Sequence, residues 1–211
     1  NHKQAIDNPF AYSNEPRTVS EVMNSKQITD DLRILDCSRS CSGSSSVLLA
    51  SEEKAKTLSD QPIWITGIGQ KTTSASFTKN ILEEIESTRI AAQLAYKMAK
   101  IEPKNIDVTE VHDAFSVCEL MAISELGFTS NEKSGEFVRN LFNTENRMIN
   151  PRGGLIGAGH PLGATGISQT IEITNQLQGK SYKRQINNAE TGLIHNMSAA
   201  GTSSSIMVLQ S

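Results

Sequence analysis

Residues 153–166 read GGLIGAGHPLGATG. Six glycines crowd fourteen positions, with His160 and Pro161 in the middle. A dinucleotide loop needs G-x-G-x-x-G after a strand, and Gly157, Gly159 and Gly163 do not give that spacing. A P-loop needs a Lys after its last glycine, and none follows here. Glycines remove side chains, so another backbone or a ligand can approach closely. Pro161 fixes one dihedral after His160 and restrains His160 itself. The next helix begins near residues 163–165, where its first N–H groups lack intrahelical partners. Two readings of His160 stand on composition alone: an imidazole held rigidly on a tight loop facing a narrow channel, or a structural histidine in a turn.

Working outward, ISQTIEITNQLQG (167–179) predicts a helix ending at Gly179, and GLIHNMSAAGTSSSIMVLQ (192–210) predicts two strands around a small-residue turn. Upstream, PIWITGIG (62–69) reads as a buried strand. ESTRIAAQLAYKMAK (86–100) reads as a helix with a stripe of Ile90, Ala91, Leu94, Ala95 and Met98. A second strand is expected over Val108 to His112. SVCELMAISELGF (116–128) is an amphipathic helix closed by Gly127. Residues 129–150 read as a polar connection with a helical turn around Phe137–Phe142. Among the first sixty residues, RILDCS (33–38) reads as a strand followed by a short helix; residues 1–30 look like an excursion lying on another surface. Strands alternating with helices imply an α/β protein with a mixed sheet covered by helices.

The chain has 211 residues, 37% hydrophobic and 20% charged, enough to bury a core. A net charge of −3 with no basic run, and an aromatic share of 5%, argue against nucleic-acid binding. No apolar stretch approaches the roughly 20 residues needed to span a bilayer. The odd trio Cys37, Cys41 and Cys118 fits a reducing compartment, and four scattered histidines without a cysteine pair suggest no metal site. The first residue is Asn1, so the sequence is expected to begin inside a longer protein.

NPRGGLIGAGHPLGATG (150–166) resembles the Gly-His-Pro signature of thiolases. VHDAFSVCELMAISELGF (111–128) resembles the His-Asp-x-Phe segment of sterol-carrier-protein-type and archaeal acetyl-CoA acetyltransferase-like thiolases, where other thiolases carry Asn-Glu-Ala-Phe. GLIHNMSAAGTSSSIMVL (192–209) is similar to their closing segment. NHKQAIDNPFAY (1–12) and ILDCSRSCSGSSSVLLASEEKA (34–55) resemble the region before the C-terminal domain. The resemblance covers nearly the whole chain, in order.

That resemblance implies a thiolase-like fold: the C-terminal half of an α-β-α-β-α sandwich, with a mixed five-stranded sheet covered by helices. Residues 1–60 would be the loop region and last strand and helix of the first half, and residues 61–211 the C-terminal domain. It implies an acyl-CoA C-acyltransferase that condenses or thiolytically cleaves acetoacetyl-CoA or another 3-ketoacyl-CoA. Coenzyme A is substrate, and no covalently bound cofactor is implied. The family's nucleophilic Cys lies in a part outside this chain, so the fragment alone should be inactive.

His160 carries over as the base that holds the Cys as thiolate. His112 stands where other members place an oxyanion-site Asn, and donates directly or through a water; without the resemblance it reads as a strand-end histidine bonded to a local carbonyl. Asn196, Ser198, Gly159 and Asp113 are implied as loop and oxyanion support, with the Ser198 backbone N–H as a donor. The second acid/base is unassigned, because Ala114 and Asn196 stand where relatives place cysteines. Cys118 is a substitute candidate beside its reading as a buried helix residue, and His195 is a candidate for orienting the closing loop. Two alternatives stay open: a thiolase-like aldolase acting on a β-hydroxyacyl-CoA side chain, and a non-catalytic scaffold subunit. The resemblance also implies a homo-oligomer in the complete protein, a small zinc-ribbon and OB-fold partner, no nucleic-acid or membrane partner, and a cytoplasmic location.

Overall fold

The computed structural model describes residues 1–13, 15–74, 76 and 83–211. Helices α1 (His2–Ala5), α2 (Val19–Met23) and α3 (Glu52–Leu58) interrupt an extended first segment. Strand β1 (Trp64–Thr72) follows, then α4 (Glu86–Ala99), β2 (Val108–Glu110), α5 (Ser116–Glu125), α6 (Ser134–Asn143), α7 (Gly154–Ala158), α8 (Thr165–Leu177), β3 (Thr191–Met197) and β4 (Ser203–Gln210).

Among the described residues the strands form one mixed sheet in the order β1-β4-β3-β2. β4 runs antiparallel to both β1 and β3, and β2 is parallel to β3. The thiolase-like α/β fold is as expected, but the sheet has four strands rather than five. Beyond β2 the neighbouring segment contributes a single parallel bridge, Thr109 to Ile149, flanked by Thr109 N donating to Met148 O and Asn150 N donating to Thr109 O. Asn150 turns to φ +50° and Pro151 has no N–H, so the extended run stops there.

Strands alternate their side chains, which splits the core in two. Leu193, Ile206 and Val208 point to one face and pack with Ala91, Ala95, Val111, Ile123 and Leu126. Ile194 and Leu209 point to the other, against Ile173 and Leu177 of α8. α4 lies on the first face so closely that a Cβ at Gly67 or Gly69 of β1 would run into the Ala95 or Ala91 carbonyl. Only small residues fit in that seam. The buried side of α4 is therefore Ser87, Thr88, Ala91, Ala92, Ala95 and Tyr96, while Leu94 and Met98 of the expected stripe face outward. β1 is an edge strand rather than a fully buried one, with Ile65 and Ile68 exposed.

Two further expectations are corrected. RILDCS forms a tight turn, not a strand. The Asp36 carboxylate accepts the Arg33 N–H at 3.0 Å and closes it, leaving only isolated bridges, Arg33 to Gln27 and Cys37 to Phe115. Residues 134–143 form a ten-residue helix, because Phe137, Val138 and Leu141 share one face and pack toward α5.

The first segment grips the Gly-rich stretch. Ala5 sits where a Cβ on Gly153 or Gly157 would fall. Asn8 Nδ2 donates to Arg152 O at 3.0 Å, Gln4 Nε2 to Ile149 O at 3.2 Å, and Arg184 Nη1 to Asp7 O at 2.8 Å.

Candidate active site

The Gly-rich stretch is a one-turn helix, α7, followed by a bend that carries His160. Asp113, just after β2, starts that helix. Its carboxylate accepts Leu155 N at 2.6 Å and Ile156 N at 3.3 Å, satisfying two first-turn N–H groups. Gly154 has no alternative, since a Cβ there would collide with the Asp113 carboxylate. Burial, reinforced by the charge of Glu119, pushes the Asp113 carboxyl above its ordinary range. Asp113 thus orients α7 and makes no bond to the His112 ring.

Gly159 has φ +97°, with Cys41 Sγ and Tyr12 where a side chain would go. His160 N then donates to Arg39 O at 2.8 Å, tying the bend to the first segment. The Pro161 carbonyl accepts Ala164 N at 2.7 Å and Thr165 N at 2.9 Å, which starts α8. Thr165 Oγ1 lies 2.7 Å from His160 Nδ1 and directs its own proton to Pro161 O at 3.2 Å. It therefore accepts from Nδ1–H and leaves the lone pair on Nε2.

The structure brings His112 and His160 together, their ring centroids 5.1 Å apart and their planes at 86°. Burial, then the charges of His112 and Arg152, lowers His160 to about 4. Burial also lowers His112. Both rings are neutral at pH 7. Asn196 Oδ1 lies 3.2 Å from His112 Nδ1, and Asn196 Nδ2 donates to Gln169 Oε1 of α8 at 2.5 Å. Among the described residues neither Nε2 has a hydrogen-bond partner.

The other expected residues are placed differently. His195 is fully buried behind the pair. Its Nδ1 faces His112 N at 3.4 Å, its Nε2 faces Thr88 Oγ1 at 3.0 Å, and burial drives its pKa to about 3. It supports the strand rather than the closing loop. The Ser198 N–H is engaged, donating to Ser203 O at 2.8 Å to close the β3–β4 turn, so it is no oxyanion donor here. Cys118, half-buried on α5, has its thiol pushed up by burial, which opposes acid/base work near neutrality.

Thr165 and Gln169 were not expected. Their only signal is position, five and nine residues after His160, where a hydroxyl and an amide read as ordinary helix surface. Also unforeseen are two ion pairs near the start of α7: Arg152 Nε with Glu110 at 2.8 Å, and Arg184 Nη2 with Glu172 at 2.8 Å. Burial outweighs the arginine and raises Glu110 to about 7.

The Thiolase C-terminal domain-like family model matches residues 67–211. An acetyl-CoA acetyltransferase of Methanothermobacter thermautotrophicus is 38% identical over 211 residues, covering 99% of this chain and 55% of that protein. Sterol carrier protein 2 of Oryctolagus cuniculus is 36% identical over 209 residues, covering 95% of this chain and 38% of that protein. Among solved structures, an Ltp2-ChsH2(DUF35) aldolase superposes with a TM-score of 0.85 at 21% identity, covering all of this chain and 56% of that one. A monomeric SCP2-thiolase-like protein type 1 from Mycobacterium smegmatis gives 0.74 at 15% identity, covering 99% of this chain and 44% of that one. The chain thus spans only 38–55% of these curated relatives. With the Gly-His-Pro bend and the His-Asp-x-Phe segment meeting at one paired-imidazole site, the chain belongs to the thiolase C-terminal domain-like family.

Proposed function

We propose that this chain supplies the base half of a thiolase-type active site, acting on coenzyme A thioesters by acyl transfer. The observation that carries the reading is the pair of neutral imidazoles, His160 and His112, each with an unpartnered Nε2. A neutral base with a free lone pair is what a thiol nucleophile needs beside it. His160 takes the proton of a cysteine contributed by a segment outside these residues. The thiolate attacks the acyl carbonyl and holds the acyl group as a thioester. In this reading residues 1–60 are the end of the first thiolase half and its loop region, and residues 61–211 the C-terminal domain.

A second reading is an aldolase that cleaves a β-hydroxyacyl-CoA side chain. Ala114, where relatives place a cysteine, favours it, as does the fold likeness to the Ltp2-ChsH2(DUF35) aldolase. That neighbour's name joins two proteins, which supports seeking a small partner protein for this chain too.

The test uses the complete protein that carries this chain. Incubation with radiolabelled acetyl-CoA should leave a stoichiometric acyl label on a cysteine. His160→Ala should reduce the labelling rate by about 10²–10⁴-fold. Labelling that survives the substitution sinks the reading. Release of an aldehyde or ketone from a β-hydroxyacyl-CoA without any acyl label favours the aldolase.

A further inference from the structure

We propose that Asn150 is a positioning residue of the site, a single buried amide that locks the segment bearing His112 to the bend bearing His160, with Glu119 of α5 as its anchor. Asn150 is fully buried, and each of its four polar groups is engaged. Its N–H donates to Thr109 O at 2.8 Å, and its carbonyl accepts Gly153 N at 2.8 Å. Its Oδ1 accepts Val111 N at 2.8 Å, and its Nδ2 donates to Glu119 Oε2 at 2.9 Å. These partners leave the amide no freedom to flip. A backbone N–H donates, so the atom facing Val111 is the oxygen. An ionised carboxylate accepts, so the atom facing Glu119 is the nitrogen.

The four bonds sit where the two histidine segments meet. Among the described residues the β2–β3 ladder ends at Glu110 and Ile194. Val111, one position before His112, is therefore held at its N–H by the Asn150 side chain rather than by the sheet. On the other branch, the bond from Gly153 N to the Asn150 carbonyl closes the turn that leads into α7, Gly159 and His160. One residue thus fixes the departure of both segments, whose rings come to lie 5.1 Å apart with their planes at 86°. Glu119 extends the lock. Its Oε2 also accepts Asn1 Nδ2, which donates in turn to Asp113 Oδ2 at 2.7 Å. Asp113 starts α7, so Val111, Asn150, Glu119, Asn1 and Asp113 form one closed circuit through the strand end and the two helices.

The residue type meets three demands at once. Asn150 stands at φ +50°, a left-handed conformation that Gly, Asn and Asp tolerate best. Gly would keep the turn and lose both side-chain bonds. Asp would keep the turn and the bond to Val111, but would set a second carboxylate against Glu119. Of the three, Asn alone supplies the acceptor for Val111 and the donor for Glu119.

The role builds on the thiolase-type reading above, and geometry and chemistry are read separately in the complete protein. In ¹³C-histidine spectra without substrate, the His160 ring shifts the ring protons of His112, a shift identified by its loss in His160→Ala. Asn150→Gly should remove it while the amide resonances of β3 and β4 stay in place. Acyl labelling from acetyl-CoA, per folded enzyme, should fall about 10–100-fold in Asn150→Gly and in Asn150→Asp, with the half-saturating acetyl-CoA concentration changed less than about threefold. Adding Glu119→Gln to Asn150→Asp puts an amide donor opposite the new carboxylate and should return labelling to within about fivefold of the parent. Should Asn150→Gly fail to fold, Asn150→Asp and its double variant carry the same comparison. A ring shift that persists in the folded single variants, or labelling within about threefold of the parent, overturns the proposal. A double variant as slow as Asn150→Asp overturns the pairing with Glu119. A parent that takes no acyl label sinks the thiolase reading, and the ring-shift comparison then still decides whether Asn150 sets the two rings.

Discussion

His112 and His195 come within 3.4 Å of each other, backbone nitrogen to ring nitrogen, yet they sit in opposite chemical worlds. His195 shares a face of β3 with Leu193 and is sealed between Thr88 and the sheet. Asn196, one residue on, shares the other face and reaches the ring of His112. The alternation of a β-strand alone separates a sealed imidazole from the side that meets the His112–His160 pair. Residue type says nothing about this division; the parity of the position does.

The comparison breaks most visibly at the sealed histidine. His195→Ala should destabilise the fold by about 2–4 kcal/mol in urea denaturation, through a cavity and the hydrogen bonds lost by Thr88 and His112 N. Activity of the folded fraction should stay within about tenfold. A loss below about 1 kcal/mol would mean that the buried ring is not what braces the site.

On the open side, Thr165→Val keeps the shape and removes the hydroxyl that accepts from His160 Nδ1–H. Acyl labelling should fall about tenfold, roughly 1.4 kcal/mol in barrier, with little change in melting temperature. Unchanged labelling would show that the bend holds the ring without help from α8.

The smallest effect concerns pH. His160 and His195 stay neutral when folded down to about 4 and about 3, whereas free imidazoles charge near 6.5. The unfolded chain thus takes protons first, and these two groups cost stability as pH falls below 6.5. Glu110 does the reverse. Raised to about 7 in the fold, it binds a proton before the unfolded carboxyl does, so it adds stability as pH falls from 7 toward 4.5 and loses it as pH rises again. Glu110→Gln removes that compensation. Its unfolding free energy should fall more steeply than the parent's between pH 7 and 5, by a difference on the order of 1 kcal/mol across the window, read from melting curves at each pH. Parallel melting curves would refute the opposed titrations.

Much of this was legible in the sequence. The glycines around His160 and the order of strands and helices fixed the fold class, and the paired histidine motifs pointed to the site. What failed was finer. Periodicity chose Leu94 and Met98 for the buried stripe of α4, because it weighs hydrophobicity and cannot see that Gly67 and Gly69 demand alanines opposite them. The turn at 33–38 was hidden by apolar residues that a single aspartate overrides. Asp113 and Gln169 act through hydrogen bonds across 42 and 58 positions of sequence, and such partners leave no local pattern; Thr165 is near His160 in the chain but reads as ordinary helix surface.

The grip of the first segment on the Gly-rich stretch has a kinetic consequence. Asn8 and Arg152 are 144 positions apart, and β1 meets β4 across an equally long stretch, from Trp64 to Gln210, whereas β3 and β4 are sequence neighbours and α4 packs on the preceding β1. Loops that long close late. The bend bearing His160 should therefore gain its final shape after the β3–β4 hairpin and the β1–α4 unit, together with the closure of the sheet edge, so that chemical competence arrives with the long-range contacts rather than before them.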